Sequence, residues 1–172
     1  ANLVGSCTVG RLDLHKDRQS TDFYQVKNGL YQGKNGKFEY ESDRALWSAG
    51  NQRLYVLSGA RIKNKDMDLV ADAFEYNQKT GNLFVSGNIQ GKMFDGKVQS
   101  TKLEYSVKKG GYKVGPTEWI GMASLSAEET GDKPTPKREW KFKSKGTSYI
   151  TDSNTTIWAD AEATDGEVIV KA

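Results

Sequence analysis

The chain has one cysteine, one histidine and three prolines in 172 residues, and no apolar run approaching the roughly 18 residues that cross a bilayer as a helix. Each shortage excludes something. A single cysteine, Cys7, leaves no internal disulfide and no cysteine-built metal cage. A single histidine, His15, excludes a two-histidine metal site, and nothing near Cys7 and His15 in sequence supplies the orienting partner of a nucleophile–base pair. No segment sustains a 3.6-residue apolar period between caps. The best helical candidate, Ser124 to Thr130, is short and runs into the loop-forming Gly131-Asp132-Lys133-Pro134-Thr135-Pro136. Gly29-Leu30-Tyr31-Gln32-Gly33-Lys34 has neither the spacing nor the hydroxyl residue of a phosphate loop. The net charge of +3 is too mild to imply nucleic acid. These exclusions point to a protein without catalytic residues, metal or cofactor.

What the chain has is glycine, 18 residues of it, together with 4 Trp, 8 Tyr and 6 Phe, in a polar background of mean hydropathy −0.70. It begins at Ala1 rather than methionine, a start that suits a processed secretory protein as well as a trimmed one.

These residues recur at an interval. In Ala71 to Ile89, Phe74 and Tyr76 share one face of an extended segment. Asn77-Gln78-Lys79-Thr80-Gly81-Asn82 then makes a hairpin turn, and Leu83, Val85 and Ile89 follow at even spacing. A shift of 29 residues forward sets Phe74-Glu75-Tyr76 on Leu103-Glu104-Tyr105; the same shift backward sets it on Ala45-Leu46-Trp47. The second arms, Ser58-Gly59 against Ser86-Gly87 and Tyr112-Lys113-Val114 against Phe84-Val85-Ser86, match with a slip of one residue. An extra residue would turn all later side chains to the other face unless a bulge absorbs it, so bulges are expected at Ser58-Gly59 and Ser86-Gly87. Fainter copies lie at Phe23 to Tyr31 and Thr156 to Val170. A period of about 29 suits a stacked array.

The expected architecture is all-β: stacked antiparallel hairpin rungs forming two elongated sheets folded over as a twisted jellyroll. One domain would span 1–172, with an irregular loop at about 122–136. On the inner face, Trp47, Tyr55, Leu57, Ile62, Phe74, Tyr76, Leu83, Val85, Ile89, Leu103, Tyr105 and Val114 would form an apolar ladder. Such a ladder is a core, and in a bent sheet it is also the wall of a groove for an acyl chain. In Lys137 to Lys145, alternation sets Lys141, Lys143 and Lys145 on one face and Trp140 and Phe142 on the other. That strip reads either as an edge strand guarded by lysine or as a contact for anionic headgroups. Stacked rungs leave unpaired edges, expected at Phe23 to Val26 and Val168 to Val170, which invite strand addition from another chain.

The pattern of Leu69-Val70-Ala71-Asp72-Ala73-Phe74-Glu75-Tyr76 followed by Leu83-Phe84-Val85-Ser86-Gly87-Asn88-Ile89 resembles the OstA-like family, and Phe94 to Gly121 is similar to the family's next rung, including Gly115-Pro116. That family includes periplasmic components of the lipopolysaccharide transport bridge and the N-terminal domain of an outer-membrane assembly protein. The resemblance implies a folded-over β-jellyroll with a hydrophobic groove. It further implies a periplasmic location, free or attached to either membrane within a longer chain, and non-enzymatic carriage of lipopolysaccharide or a similar glycolipid in outer-membrane biogenesis. Its partners would be other OstA-like domains, joined head to tail by strand addition. The competing reading is an all-β module of the cell envelope that binds a polysaccharide or a protein.

Overall fold

A computed structural model describes residues 2–34, 36–106, 110–123, 138–150, 156–157 and 160–171. The first strands are β1 (Gly5–Thr8), β2 (Arg11–His15), β3 (Ser20–Gly33), β4 (Gly36–Ser48) and β5 (Arg53–Lys63). They continue as β6 (Met67–Asn77), β7 (Asn82–Met93), β8 (Gly96–Ser106), β9 (Tyr112–Val114) and β10 (Thr117–Ala123). The last are β11 (Arg138–Ser144), β12 (Ser148–Ile150), β13 (Thr156–Ile157), β14 (Ala161–Thr164) and β15 (Ile169–Lys171). Among the described residues the helical content is one 3₁₀ turn, Lys16–Arg18. The loop expected at about 122–136 lies outside the described residues, except Met122 and Ala123, which end β10.

The tight turns use the expected chemistry. The Asn77 side-chain carbonyl accepts the backbone N–H groups of Lys79 and Thr80 at 3.0 and 3.1 Å, and Gly81 follows at φ 76°. Asn64 does the same for Asp66 and Met67. These side chains close the turn on their own backbone, which is why Asn favours such positions.

Among the described residues all 15 strands belong to one antiparallel sheet, rather than to two separate sheets. That sheet is creased. The pairing register shifts between Val26 and Gly29, Glu41 and Arg44, Leu57 and Ala60, Val70 and Ala73, and Ser86 and Ile89. These shifts line up across neighbouring strands. The extra residue always falls on β3, β5 or β7: partners Leu57 and Ala60 on β5 face Ala73 and Ala71 on β6. Backbone torsions mark the corner, with Ser58 at φ 61° and Gly59 at 75°, then Gly87 at 79° and Asn88 at 47°. The bulge expected at Ser58-Gly59 is there; the one expected at Ser86-Gly87 sits one residue later. The 29-residue repeat therefore runs without slip, setting Leu54, Leu83 and Tyr112 in one inward column and Val56, Val85 and Val114 in another.

The crease divides the sheet into two limbs. The first comprises β2, β9, β12, β13 and residues 20–24, 44–48, 53–57, 73–77, 82–86 and 102–106 of the long strands. The second comprises β1, β10, β11, β14, β15 and the remaining halves. Rungs β3 to β8 cross the crease as unbroken strands, whereas the outer rungs are split there: β1 from β2, β9 from β10, β11 from β12 and β13 from β14. The limbs close face to face, because Tyr31 and Phe38 of the second limb pack on Tyr76 of the first at ring distances of 4.5 and 5.0 Å. A main apolar cluster fills the space between them, and a smaller one of Trp140, Phe142 and Ala163 adjoins it through Trp119. Trp119 lies across Gly96 and Gly121, where any Cβ would collide with its ring, and its indole N–H donates to the Met93 carbonyl at 2.9 Å.

Two glycines at the crease differ in what surrounds them. A Cβ on Gly59 would meet nothing within 4 Å, whereas one on Gly87 would come 2.2 Å from a carboxylate oxygen of Asp72, which also accepts from the Asn88 amide. Gly59→Ala should cost about 1 kcal/mol, the strain of a left-handed alanine. Gly87→Ala should cost clearly more, about 2 kcal/mol or above, because Asp72 must also move. Urea unfolding of the two variants checks the order; equal losses would contradict it.

Candidate functional site

The candidate site is the space between the limbs. Trp47, Phe74, Tyr76, Leu83, Val85, Leu103, Tyr105 and Val114 project into it from the first limb, and Ile62 and Ile89 from the second, all buried in the main cluster. Tyr55 and Leu57, expected in the same ladder, lie half-buried on the outer face instead. The slip explains the error: aligning Ser58-Gly59 with Ser86-Gly87 carries Leu83 and Val85 onto Tyr55 and Leu57, whereas the true offset carries them onto Leu54 and Val56, both fully buried. The sequence reading also missed Tyr31, Phe38 and Tyr40, which supply the second limb's rings. Alternation along Gly36–Ser48 would have found the last two.

The limbs meet at the side away from the crease through contacts that are neither covalent nor ionic. Besides the Tyr31–Tyr76 pair, Phe38 meets Phe74 edge-on at 5.9 Å, and Phe94 meets Tyr112 edge-on at 5.3 Å. The Tyr112 hydroxyl donates to Asp66 at 3.4 Å and the Gln78 amide to the Asn2 carbonyl at 3.2 Å, closing the mouth between loop tips. Burial pushes the phenols of Tyr40, Tyr76 and Tyr112 far above their ordinary range. It also raises the Cys7 thiol, opposed by a hydrogen bond with Tyr40. The interior is therefore uncharged at ordinary pH. Among the described residues the buried Gln78 side-chain carbonyl has no hydrogen-bond partner, and the Tyr76 hydroxyl, beside that of Tyr31, makes no bond of good geometry; both lie near this mouth.

Both ends of the space carry exposed apolar side chains. By register, Leu12 and Leu14 of β2 share the inner face with Phe23 and Thr21, yet they are 51% and 62% exposed, since no described strand pairs beyond β2. At the other end Val170 of β15 faces the same way as Ala163 and is 46% exposed. The edges among the described strands are thus β1 and β2 at one end and β13 and β15 at the other. Phe23 to Val26 is not an edge, because β2 pairs Leu12 with Phe23; the C-terminal edge is where it was expected. At the N-terminal end Asp22 is held by Arg44 at 3.2 Å and by His15 at 2.9 Å, which ties β2 to the stack. Burial alone would raise the Asp22 carboxyl, but these two partners bring it below the ordinary range.

On the outside, β11 is flanked by β10 and β14, so the lysine strip is not an edge. Lys141 and Lys143 face solvent while Trp140 and Phe142 face inward, as alternation predicted. Lys143 pairs with Glu118 at 3.5 Å. Lys145 lies beyond the strand end at the crease, beside a shallow outer cleft of about 490 Å³ lined by Gln90, Gln99, Pro116, Glu118 and both Lys143 and Lys145. Among the described residues no three His, Cys, Asp or Glu side chains are grouped to hold a metal ion. No helix there is long and apolar enough to cross a membrane.

No family model matches the chain, and no curated protein does. Ten chains among the solved structures match. One is the crystal structure of LptH from Pseudomonas aeruginosa, described as the LptA-homologous periplasmic component of the conserved lipopolysaccharide transport device. It matches at 9% identity with a TM-score of 0.50, covering 78% of this chain and 91% of that one. At that identity the likeness establishes the fold.

The weakly partnered Tyr76 hydroxyl gives a direct test of the interior's character. Removing a buried unsatisfied group relieves a desolvation cost of about 1–3 kcal/mol. Tyr76→Phe should therefore hold or raise the midpoint of thermal unfolding. A clear fall would mean that the hydroxyl is well partnered, by Tyr31, a bound water or a guest.

Proposed function

We propose that this chain is a non-enzymatic carrier of lipopolysaccharide or a similar glycolipid in the bacterial periplasm, holding acyl chains between its limbs and passing them along the stack. The observation that carries this reading is the inner face itself. It is apolar from Leu12 and Leu14 at one end to Val170 at the other, it is uncharged, and along its mouth it is closed by ring contacts and weak hydrogen bonds. Such contacts yield to a guest that offers equivalent apolar surface, since burial is worth about 25 cal/mol per Å² wherever the surface comes from. The likeness of fold to LptH supports the same class of role. Trp47, Ile62, Phe74, Tyr76, Leu83, Val85, Ile89, Leu103, Tyr105 and Val114 would be the contacts, with Lys141, Lys143 and Lys145 available to anionic headgroups outside. The rival reading, a module for soluble polysaccharide, prefers aromatics in an exposed flat row for stacking; here they point inward.

A photo-reactive residue at Tyr105, at 9% the most exposed member of the ladder, should label lipopolysaccharide, while one at the outward Phe84 should not. Labelling by a soluble glycan alone would transfer the case to the rival.

The same reading includes head-to-tail assembly through β15 and the β1–β2 end, which would join successive interiors. Along a strand, successive N–H groups point to opposite sides, so of Ile169→Pro and Val170→Pro one removes the outward donor and the other loosens β15 from β14. Both should weaken assembly and leave the melting of the main body nearly unchanged. Light scattering that finds a monomer at every concentration of the parent chain would end the assembly idea.

A further inference from the structure

We propose that the outer face of the second limb, centred on β8 and β10, is a docking surface for an anionic membrane leaflet. The inference starts from one row of outward residues that crosses the sheet. By register the row reads Glu39, Lys63, Asp68, Lys92, Lys97, Ile120, Lys141, Thr164. Its first half alternates in sign, and Asp68 is further held by Arg61 through two hydrogen bonds of 3.0 and 2.9 Å. Its second half does not alternate. Lys92 and Lys97 stand directly opposite each other, a like-charge pairing that destabilises a sheet. The next strand offers no acid in that row but Ile120, which is 38% exposed, and then comes Lys141. Two places along β10, Met122 is 50% exposed.

Three lysines thus span about 14 Å across strands spaced about 4.8 Å apart, with exposed aliphatic side chains among them. The nearest acids compensate this row only in part: Asp68 stands opposite Lys92 but is bonded to Arg61, Glu118 is engaged by Lys143, and Glu139 and Glu162 lie two places along their strands from the row. A face of flexible cations around aliphatic residues, beside the shallow cleft at Gln99 and Glu118, matches a surface that supplies diffuse negative charge and a shallow apolar layer. An anionic phospholipid leaflet supplies both. The surface is on the outside of the fold, so the proposal is independent of what fills the interior.

The test is co-sedimentation of the full chain with vesicles of phosphatidylcholine, with and without phosphatidylglycerol, at low and high salt. Binding should require phosphatidylglycerol and weaken with salt. Lys92→Gln, Lys97→Gln and Lys141→Gln combined should lower affinity about a hundredfold, roughly fivefold for each lysine. Lys27→Gln, Lys79→Gln and Lys113→Gln, which remove the same charge elsewhere, should change it only slightly. Ile120→Ser with Met122→Ser should weaken binding without altering its salt dependence. Lys97→Gln alone should also raise thermal stability, because it relieves the opposed pair. Absence of a phosphatidylglycerol requirement, equal losses in the two triple variants, or stronger capture by an acidic polypeptide than by vesicles would each overturn the proposal. None of the vesicles contains glycolipid, so the carrier reading stands or falls separately.

Discussion

A sheet can close on its own inner face only if every strand turns the same corner at the same height without surrendering its ladder. The rest of this molecule follows from how that corner is made. On β4, β6 and β8 the inward positions step by three across the crease, from Ser42 to Ala45, Ala71 to Phe74 and Ser100 to Leu103. On β5 and β7 they step by four, from Val56 to Ala60 and Val85 to Ile89. The additional residue takes up the longer path, as a bulge does. Carbonyls at the corner are met by hydroxyls: Ser42 donates to the Arg44 carbonyl, Ser100 to that of Lys102, Thr117 to that of Gly115 and Ser144 to that of Gly146. Buried polar atoms at the crease are thereby satisfied, which the interior of a fold requires.

This corner also decides how much could be read from sequence. The repeat, the hairpins and the all-β class were legible, because Asn-rich turns and the inward columns of Trp47, Tyr76 and Tyr105 leave a signal at 29 residues. The faces of each strand were legible only up to the crease. Period-two alternation holds within a limb, but its phase across the corner depends on whether the strand steps by three or by four. Nothing in Ser58-Gly59 alone says which residue is the extra one. Tyr55 and Leu57 were misplaced for that reason, while Lys141 and Lys143, far from any corner, were oriented correctly. The position of β11 inside the sheet depends on β14, whose pairing is long-range and has no local signature.

Charge is sorted by face as strictly as size is. Burial pushes up the phenols of Tyr40, Tyr76, Tyr105 and Tyr112 and the Cys7 thiol within the limbs, and the charged side chains that form pairs lie outward along cross-strand rows, as Arg53 with Glu75 and Arg61 with Asp68. Individually such exposed pairs add little stability. Their alternation along the row from Glu39 to Lys92 offsets charge on the early strands, so the lysines of the later strands stand out against it.

The difference between continuous and split rungs has a mechanical side. Rungs β3 to β8 are single bent rods, and opening them means unbending backbone that is hydrogen-bonded on both sides. Toward the ends of the stack, among the described residues, the two limbs are connected across the crease by short irregular links such as Val9-Gly10 and Gly115-Pro116. Resistance to splaying therefore falls from the middle toward the ends, like a clasp whose spring lies at its centre. A molecule arriving at an end meets the compliant part first, and a neighbour that stiffened that end would alter entry without touching the interior.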